Sequence, residues 1–377
     1  MRRIALGLGI AAASVCASAF GAEFAYRAWF EPAPARVFYL DADRRPVDPL
    51  RGVGFVEANP FVPEGRLRSR WKAGAHFYIC YEPNTDPEYF DAYGCVEYRI
   101  NRCQIRDREE VCDPKPAGSR RIVCLGDSFT FGWGVKIEDA WVRRVERELR
   151  KDDDRIRTVN CGASGTLFVD EYWTSLRAKF CEFEPDVVLV TLCLNDLIPT
   201  TDNLSHRKTP PRWVGASHII RDLASRYVMA STLRWDPGSD PVAEILTWPP
   251  EVYGLIPWLA GTGVGYPQMW AGGGPQRALT EMRIWCESRQ IKLGVVLWPY
   301  FQGLGTGEYY PFRSMHERVA EFCVGADISF LDVLPSLEGH DDSSLWVHPA
   351  DLHGNATAHA LASPAITAFC RRLLGDG

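Results

Sequence analysis

Six residues with catalytic potential stand directly after runs of apolar residues or beyond the last such run. In chain order they are Ser128 after IVCL, Gly162 and Gly165 in NCGASG after RTV, Asn195 in VTLCLND, and Asp351 and His353 in WVHPADLHGNATAH. In an open parallel sheet, the residues that follow the strands share one crevice despite their separation in sequence. The pattern therefore predicts that these groups meet at one edge of a sheet.

These residue types are the ones that acyl transfer from an ester requires. A serine hydroxyl becomes an effective nucleophile when a histidine accepts its proton, and a carboxylate fixes the tautomer of that histidine. The oxyanion that forms needs preorganised donors, which a backbone N–H beside a glycine and an asparagine amide can supply. The N–H of Ser128, at a predicted helix N-terminus, is a third candidate donor.

The elements that must position these residues alternate between strands and helices. The first part reads as strand RIVCL, helix EDAWVRRVERELRK, strand RTVN, helix VDEYWTSLRAKFCEF and strand DVVLVTLCL. The pattern resumes as helix GPQRALTEMRIWCESR, strand IKLGVVLW, helix SMHERVAEFC, strand ISFLDV and a final helix at about 355–374. This alternation over residues 118–377 predicts a parallel sheet covered by helices on both faces.

Two regions depart from this alternation. Residues 31–117 are rich in proline, glycine, arginine and aromatics, and short alternating runs such as HFYICY predict a small β or irregular region. Residues from about 199 to 274 are rich in proline, glycine and tryptophan and predict an insertion or lid. The tryptophans of this insertion would either stack on sugar rings or pack a subsidiary core, and packing is the commoner use.

Residues 1–30 predict an export signal. Arg2 and Arg3 precede an uncharged stretch at 4–22, which is the pattern of a charged n-region followed by an apolar h-region. The sequence ASA at 17–19 offers a cleavage site, but the stretch is also nearly long enough to span a bilayer. A cleaved signal peptide and an uncleaved membrane anchor both stay open, and either one predicts a protein outside the cytoplasm.

Composition limits the partners and the cofactors. The 42 basic and 48 acidic residues are spread along the chain and leave a net charge of −6, which argues against a nucleic-acid partner. No CxxC or Cys/His spacing suggests zinc, and we expect neither a metal nor an organic cofactor. Four of the 12 cysteines fall in a turn-rich region and would pair in an oxidising compartment: Cys80, Cys95, Cys103 and Cys112.

Four blocks of the sequence resemble those of the SGNH hydrolases, also called GDSL esterases and lipases: GDSFTFG, NCGASG, LCLND and DLHGNATAH, in that order. Four ordered blocks are far more specific than one GDS tripeptide. The resemblance covers residues 118–377 apart from the insertion and implies a three-layer α/β/α fold akin to flavodoxin. It also implies the site residues, namely Ser128 as nucleophile, His353 as base, Asp351 as its orienting acid, and Gly165 and Asn195 as oxyanion donors beside the Ser128 N–H.

The sequence departs from the family pattern at two positions. Cys193 occupies the glycine position of the usual Gly-x-Asn-Asp block. Asp351 precedes His353 by two residues, whereas the usual spacing is Asp-x-x-His. Gly165 is preferred to Gly162 as the donor because it closes its block directly after a small residue.

Other polar residues in these blocks have structural interpretations. Asp127 is expected to cap a turn or helix, and Asn160 and Asp196 are expected to hold loops through backbone hydrogen bonds. His348 and His359 are alternative bases. For His359, which falls in the final predicted helix, we expect a packing or capping role.

These features predict an exported serine esterase that hydrolyses a small-molecule or glycan acyl ester. Acetyl is the favoured acyl group, and a cell-envelope or extracellular glycan is the favoured carrier. One alternative is an O-acyltransferase that passes the acyl group to a sugar hydroxyl. Another is a non-catalytic glycan-binding or assembly protein on an inactivated hydrolase fold.

Overall fold

The computed structural model describes most of the chain from residue 71 onward, together with two shorter stretches before it. The described residues are 18–25 without 20, 36–47, and 71–375 without 112–113, 164–168, 198–269, 271–272, 302, 307–309 and 311. Most of the predicted signal or anchor and most of the predicted insertion lie outside these residues, so the domain boundaries stay predictions. Among the described residues, no helix combines the length and apolar character needed to cross a membrane.

A five-stranded parallel sheet forms the centre of the fold. Its strands are β4 (Arg120–Gly126), β5 (Ile156–Gly162), β6 (Val187–Cys193), β7 (Lys292–Trp298) and β8 (Ser329–Asp332), in the order β5-β4-β6-β7-β8. β6 is buried at every position, and β4 and β7 at every position but the first. Strands covered on both faces read as continuous apolar runs, which is why the sequence pattern located them.

Helices pack against this sheet in pairs. They are α1 (Ser128–Phe131), α2 (Trp141–Leu149), α3 (Val169–Ala178), α4 (Gly274–Glu287), α5 (Arg313–Gly325), α6 (Leu334–Leu337) and α7 (Ala356–Leu374). α2 packs on α7, and α3 packs on α4. α7 begins after Asn355, whose side chain accepts from two N–H groups of the first turn. The predicted α/β/α architecture is confirmed.

The segment that carries Asp351 and His353 forms a short hairpin beyond the last strand of the parallel sheet. β9 (Trp346–His348) pairs antiparallel with β10 (Asp351–Gly354). Strands of three and four residues are too short to show a period, so sequence patterns do not reveal them.

A second sheet precedes the parallel one in the chain. β1 (Arg36–Asp41), β2 (His76–Glu82) and β3 (Cys95–Arg99) form an antiparallel sheet in the order β1-β2-β3. A disulfide joins Cys80 to Cys95 across β2 and β3, whereas Cys103 is free. One face of this sheet forms a buried cluster with residues that follow Ser128: Phe77, Ile79, Tyr81, Val96 and Tyr98 with Phe131, Trp133 and Val135. The β1–β3 layer, meaning these strands and the loop at 100–107, therefore lies against the turn after Ser128.

Candidate active site

Ser128 lies at the junction of a buried strand and a helix. β4 ends at Gly126 and α1 begins at Ser128, while the Asp127 carboxylate accepts from the Phe129 N–H at 2.9 Å. A Cβ at position 126 would lie 2.7 Å from the Thr191 carbonyl oxygen, so only glycine fits there. The capping role expected of Asp127 is confirmed. The junction places Ser128 at the carboxyl edge of the sheet, where we expected it.

Ser128, His353 and Asp351 form a continuous chain of hydrogen bonds. The Ser128 Oγ lies 2.8 Å from Nε2 of His353. Nδ1 of the same ring is hydrogen-bonded to Oδ1 of Asp351, and that oxygen also accepts from the His353 backbone N–H at 3.3 Å. When Nδ1 carries the ring proton, Nε2 is free to accept the serine proton. The tautomer that a carboxylate at Nδ1 favours is thus the one that activates Ser128.

The short spacing between Asp351 and His353 follows from the conformation of β10. Side chains alternate between the two faces of a strand, so residues two apart point the same way. An extended Asp-x-His segment therefore brings acid and base together, as the hydrogen bond between them shows. The hairpin accounts for the departure from the usual Asp-x-x-His spacing.

Burial and charge act in opposite directions on this pair. Burial raises the pKa of Asp351, but the positive charge on His353 and hydrogen bonds from His353 and Tyr81 outweigh it, so the net pKa lies below 3.8. Burial lowers the pKa of His353, but the Asp351 carboxylate outweighs it and holds the net pKa above 6.5. Asp351 is therefore ionised at neutral pH, and His353 is a stronger base than a free imidazole.

The predicted oxyanion donors are only partly within the described residues. Gly165 lies outside them. Asn195 lies in the 3-10 turn Leu194–Leu197, directly after β6, and of this residue only the backbone position is described. The N–H of Ser128 belongs to the first turn of α1, where N–H groups lack partners within the helix. Gly165 and Asn195 stay predictions as donors.

The loops beside these donors are held as the sequence suggested. The Asn160 side chain accepts from the Gly162 N–H at 3.0 Å, and the Asp196 carboxylate accepts from the Cys193 N–H at 2.8 Å. Cys193 is fully buried, so the residue at the family's glycine position packs in the core.

The other two histidines of these blocks do not contact Ser128 in the structure. Nδ1 of the buried His359 accepts from the Trp141 N–H at 3.0 Å, and burial and the charge of Arg106 lower its pKa to about 3. The packing role expected of His359 is confirmed. The ring nitrogens of His348 bond to the Ala350 N–H at 3.1 Å and the Pro83 carbonyl at 2.9 Å. Of the three histidines, His353 is the one in contact with Ser128.

The β1–β3 layer contributes contacts that sequence reasoning missed. The Tyr81 hydroxyl donates to Oδ2 of Asp351 at 2.8 Å, and the Tyr98 hydroxyl accepts from the Gly134 N–H at 2.6 Å. The buried guanidinium of Arg106 donates to three carbonyls of the turn after Ser128 at 2.5 to 3.0 Å: those of Phe131, Gly132 and Val135. The alternation in HFYICY placed Tyr81 in a half-buried strand, but no sequence signal indicated its partner.

Among the residues that the structure describes, no cluster of three or more histidine, cysteine, aspartate or glutamate side chains could hold a metal ion. The sequence expectation that no cofactor is required stays a prediction.

Comparison with known proteins gives one family match. The model of the GDSL-like Lipase/Acylhydrolase family matches residues 124–361. No curated protein matches the sequence. Among solved structures, the esterase EstA from Pseudoalteromonas sp. is 13% identical, with 68% of this chain and 100% of that chain covered and a TM-score of 0.39. The acetyl xylan esterase AlAXEase is 12% identical, with 66% and 98% covered and a TM-score of 0.38. A two-domain esterase active on acetylated mannans is 15% identical, with 68% and 50% covered and a TM-score of 0.38.

Proposed function

The chain belongs to the GDSL-like lipase/acylhydrolase family of ester-hydrolysing enzymes, and on that premise we propose that Ser128, His353 and Asp351 carry its reaction. The observation that carries the proposal is the hydrogen-bond chain that joins them. It begins with the 2.8 Å contact between Ser128 Oγ and His353 Nε2 and continues through Nδ1 to Asp351. This is the geometry that a serine nucleophile, a general base and an orienting acid require.

The first half of the reaction forms an acyl-enzyme. Ser128 Oγ gives its proton to His353 Nε2 and attacks the ester carbonyl carbon, whose oxygen takes the negative charge. The Ser128 N–H, the Gly165 N–H and the Asn195 amide are the proposed donors to that oxygen. Collapse of the intermediate breaks the bond to the alcohol, and His353 returns its proton to the leaving oxygen.

The second half releases the acid. His353 accepts a proton from water, the hydroxide attacks the acyl-enzyme carbonyl, and His353 then protonates Ser128 Oγ as it leaves. Asp351 stays ionised throughout and stabilises the imidazolium form of His353. Every proton in this scheme moves through Nε2 of one histidine, so no metal or organic cofactor is needed.

The substrate that we propose is an acetyl or other short acyl ester on a glycan outside the cytoplasm. The export pattern of residues 1–30 supports this compartment, and so does the Cys80–Cys95 disulfide, because disulfides persist where the environment is oxidising. The tryptophan-rich residues 199–274 support a sugar ligand, since aromatic faces pack against sugar rings.

Hydrolysis of p-nitrophenyl acetate and butyrate tests the proposal. We expect wild-type turnover, and a fall in kcat of about 10⁴-fold or more in Ser128→Ala and in His353→Ala. Ser119→Ala is the matched control, because Ser119 precedes the strand that Ser128 follows and bonds only locally, to the Pro116 carbonyl. The acetate-to-butyrate ratio then measures the room available to the acyl group.

Three outcomes would contradict the proposal that the protein is an esterase with Ser128 as its nucleophile. Turnover that survives Ser128→Ala in a folded protein would exclude Ser128 as the nucleophile. Transfer of the acetyl group to an added glycan in preference to water would identify an O-acyltransferase. Glycan binding without turnover, equal in wild type and Ser128→Ala, would identify a non-catalytic binding protein.

A further inference from the structure

The carboxylate of Asp351 has two separate sets of partners. Oδ1 accepts from His353, and Oδ2 accepts from the Tyr81 hydroxyl at 2.8 Å. Asp351 is 7% exposed and Tyr81 is fully buried. A hydrogen bond to an ionised group in such a site is among the stronger ones in proteins. Tyr81 thus binds the acid at the oxygen that His353 leaves unused.

The hydroxyl of Tyr81 is held in place by its surroundings. Its ring packs on the rings of Phe90 and His348, with centroids 5.3 and 5.4 Å apart. Its backbone N–H donates to the Gly94 carbonyl at 2.9 Å, and the preceding residue, Cys80, forms the disulfide. The hydroxyl is therefore presented by a packed strand, which keeps the hydrogen bond well oriented.

We propose that Tyr81 is a positioning residue of the reaction, which fixes the Asp351 carboxylate and through it the ring of His353 facing Ser128. The inference rests on the proposed function. It places a residue required for full activity outside the segment 124–361 that matches the family. A carboxylate held by donors on both oxygens has little freedom to rotate, so the ring that it binds stays aligned with the serine hydroxyl.

The hydrogen bond also couples Tyr81 to the proton affinity of His353. A donor on Oδ2 draws negative charge from the carboxylate, and losing that donor leaves more charge to stabilise the imidazolium. Removal of the Tyr81 hydroxyl is therefore expected to raise the pKa of His353. A tyrosine that served only as packing would not change this titration.

Other titratable groups lie around the pair. Those facing it from neighbouring elements are Asp127 and His359 near His353, Tyr39 and Tyr98 near Asp351, and His348, which pairs with Asp351 across the hairpin. Burial and then the Asp351 charge raise the pKa of Tyr39 to about 12, and burial also raises that of Tyr98. The pKa of His359 is about 3. These two tyrosines and His359 keep one charge state between pH 5 and 9, so they do not titrate together with His353.

Tyr81→Phe tests the proposal against the matched control Tyr89→Phe. Tyr89 also donates to an aspartate, Asp139 at 3.2 Å, and packs against the same buried cluster without contacting Asp351. In Tyr81→Phe we expect kcat to fall about tenfold while KM stays within about twofold, since the hydroxyl does not touch substrate. In Tyr89→Phe we expect kcat to be unchanged. Ester hydrolysis across a pH range measures kcat and KM of both variants. NMR titration of the His353 imidazole measures the pKa of that histidine directly.

The titration also separates this inference from the proposed function. If the wild type hydrolyses no ester, the proposed function fails, yet an upward shift of the His353 midpoint in Tyr81→Phe alone still supports the coupling. An unchanged midpoint in Tyr81→Phe, or equal shifts in both variants, overturns the inference whatever the activity does.

A double variant gives a second test that does not depend on the stability of Tyr81→Phe. In an Asp351→Asn background, a positioning residue has lost the charge through which it acts, so adding Tyr81→Phe should change kcat by less than about twofold. A further tenfold loss in that background would show a general structural effect and overturn the inference.

Discussion

The parallel sheet and the β1–β3 layer contribute to the candidate site in different ways. The parallel sheet places the candidate residues Ser128, after β4, and Asn195, after β6, at its carboxyl edge. The antiparallel β1–β3 layer contributes side chains that bind what lies beside it. Tyr81 binds Asp351, and Tyr98 binds the Gly134 N–H in the turn after Ser128. The parallel sheet positions Ser128, and the β1–β3 layer holds the segments around it.

The two sheets differ in this way because strands of the parallel sheet are buried on both faces, whereas strands of the β1–β3 layer alternate between two faces. β6 is buried along its whole length, with Thr191 as its one polar residue, so Asn195 and Asp196 come only after the strand ends. β2 alternates, and Phe77, Ile79 and Tyr81 share one face. A tyrosine on such a face can pack its ring with the apolar residues and aim its hydroxyl at a neighbouring segment. The β1–β3 layer, which precedes the segment that matches the family, thus contacts the candidate site directly.

The largest effect that we expect is a loss of kcat on substitution of Asp351, compared with substitution of Asp332 in a second Asp–His pair. Asp351→Asn is expected to lower kcat by about 10³-fold or more, because an amide neither stabilises the imidazolium nor enforces the Nδ1–H tautomer. Asp332 accepts from His316 Nδ1 at 2.9 Å, away from Ser128, so Asp332→Asn should leave kcat unchanged. Steady-state kinetics on both variants measures the contrast, and equal losses would exclude a specific role for Asp351.

A smaller effect is expected from substitution of Arg106, and a second buried arginine, Arg121, provides the comparison. Arg106 belongs to the β1–β3 layer and is 1% exposed, whereas Arg121 belongs to β4, is 3% exposed and donates to the Phe183 carbonyl at 2.8 Å. Arg106→Met removes the donor that three carbonyls after Ser128 share, so we expect the free energy of unfolding to fall by about 3 kcal/mol. Because that turn directly follows the helix that begins with the proposed nucleophile, Ser128, kcat of the folded variant should fall as well.

Arg121→Met is the control for this prediction. It should lower the stability measured by urea denaturation but leave kcat of the folded enzyme unchanged, since its partner lies away from Ser128. If Arg106→Met behaved in the same way, the β1–β3 layer would contribute to stability alone, and the comparison between the two sheets would fail at this position.

The smallest effect concerns the pH dependence near neutrality. His353 must be neutral to accept the serine proton, and the Asp351 carboxylate outweighs burial to hold its pKa above 6.5. We therefore expect kcat/KM to fall as the pH decreases through a midpoint above 6.5, with a limiting slope of about tenfold per pH unit. A pH series corrected for spontaneous ester hydrolysis measures it. A midpoint below 6.5 would mean that burial outweighs the carboxylate.

Local patterns in the sequence determined the parallel sheet and the candidate catalytic residues. Continuous apolar runs identified β4, β6 and β7, because a strand that is covered on both faces has apolar residues at consecutive positions. Ser128 and His353 were located by the short blocks around them, since a strand end and the residues directly after it are adjacent in sequence as well as in space. These features depend on neighbours along the chain, which is the information that a single sequence contains.

Tertiary structure alone decided which groups support them. Tyr81 and Asp351 are 270 positions apart, and a hydrogen bond between two single side chains leaves no periodic trace in either segment. Arg106 lies in the charged run QIRDREE, yet it is buried, and its guanidinium donates to three carbonyls of a turn 25 to 29 positions away. The pairing of Cys80 with Cys95, among four candidates, likewise depended on the register of β2 and β3. The disulfide arises when β2 and β3 pair, and the Tyr81 and Arg106 contacts arise only when the β1–β3 layer packs against the segments that carry Asp351 and follow Ser128. Only that packing gives these buried polar groups their hydrogen-bond partners.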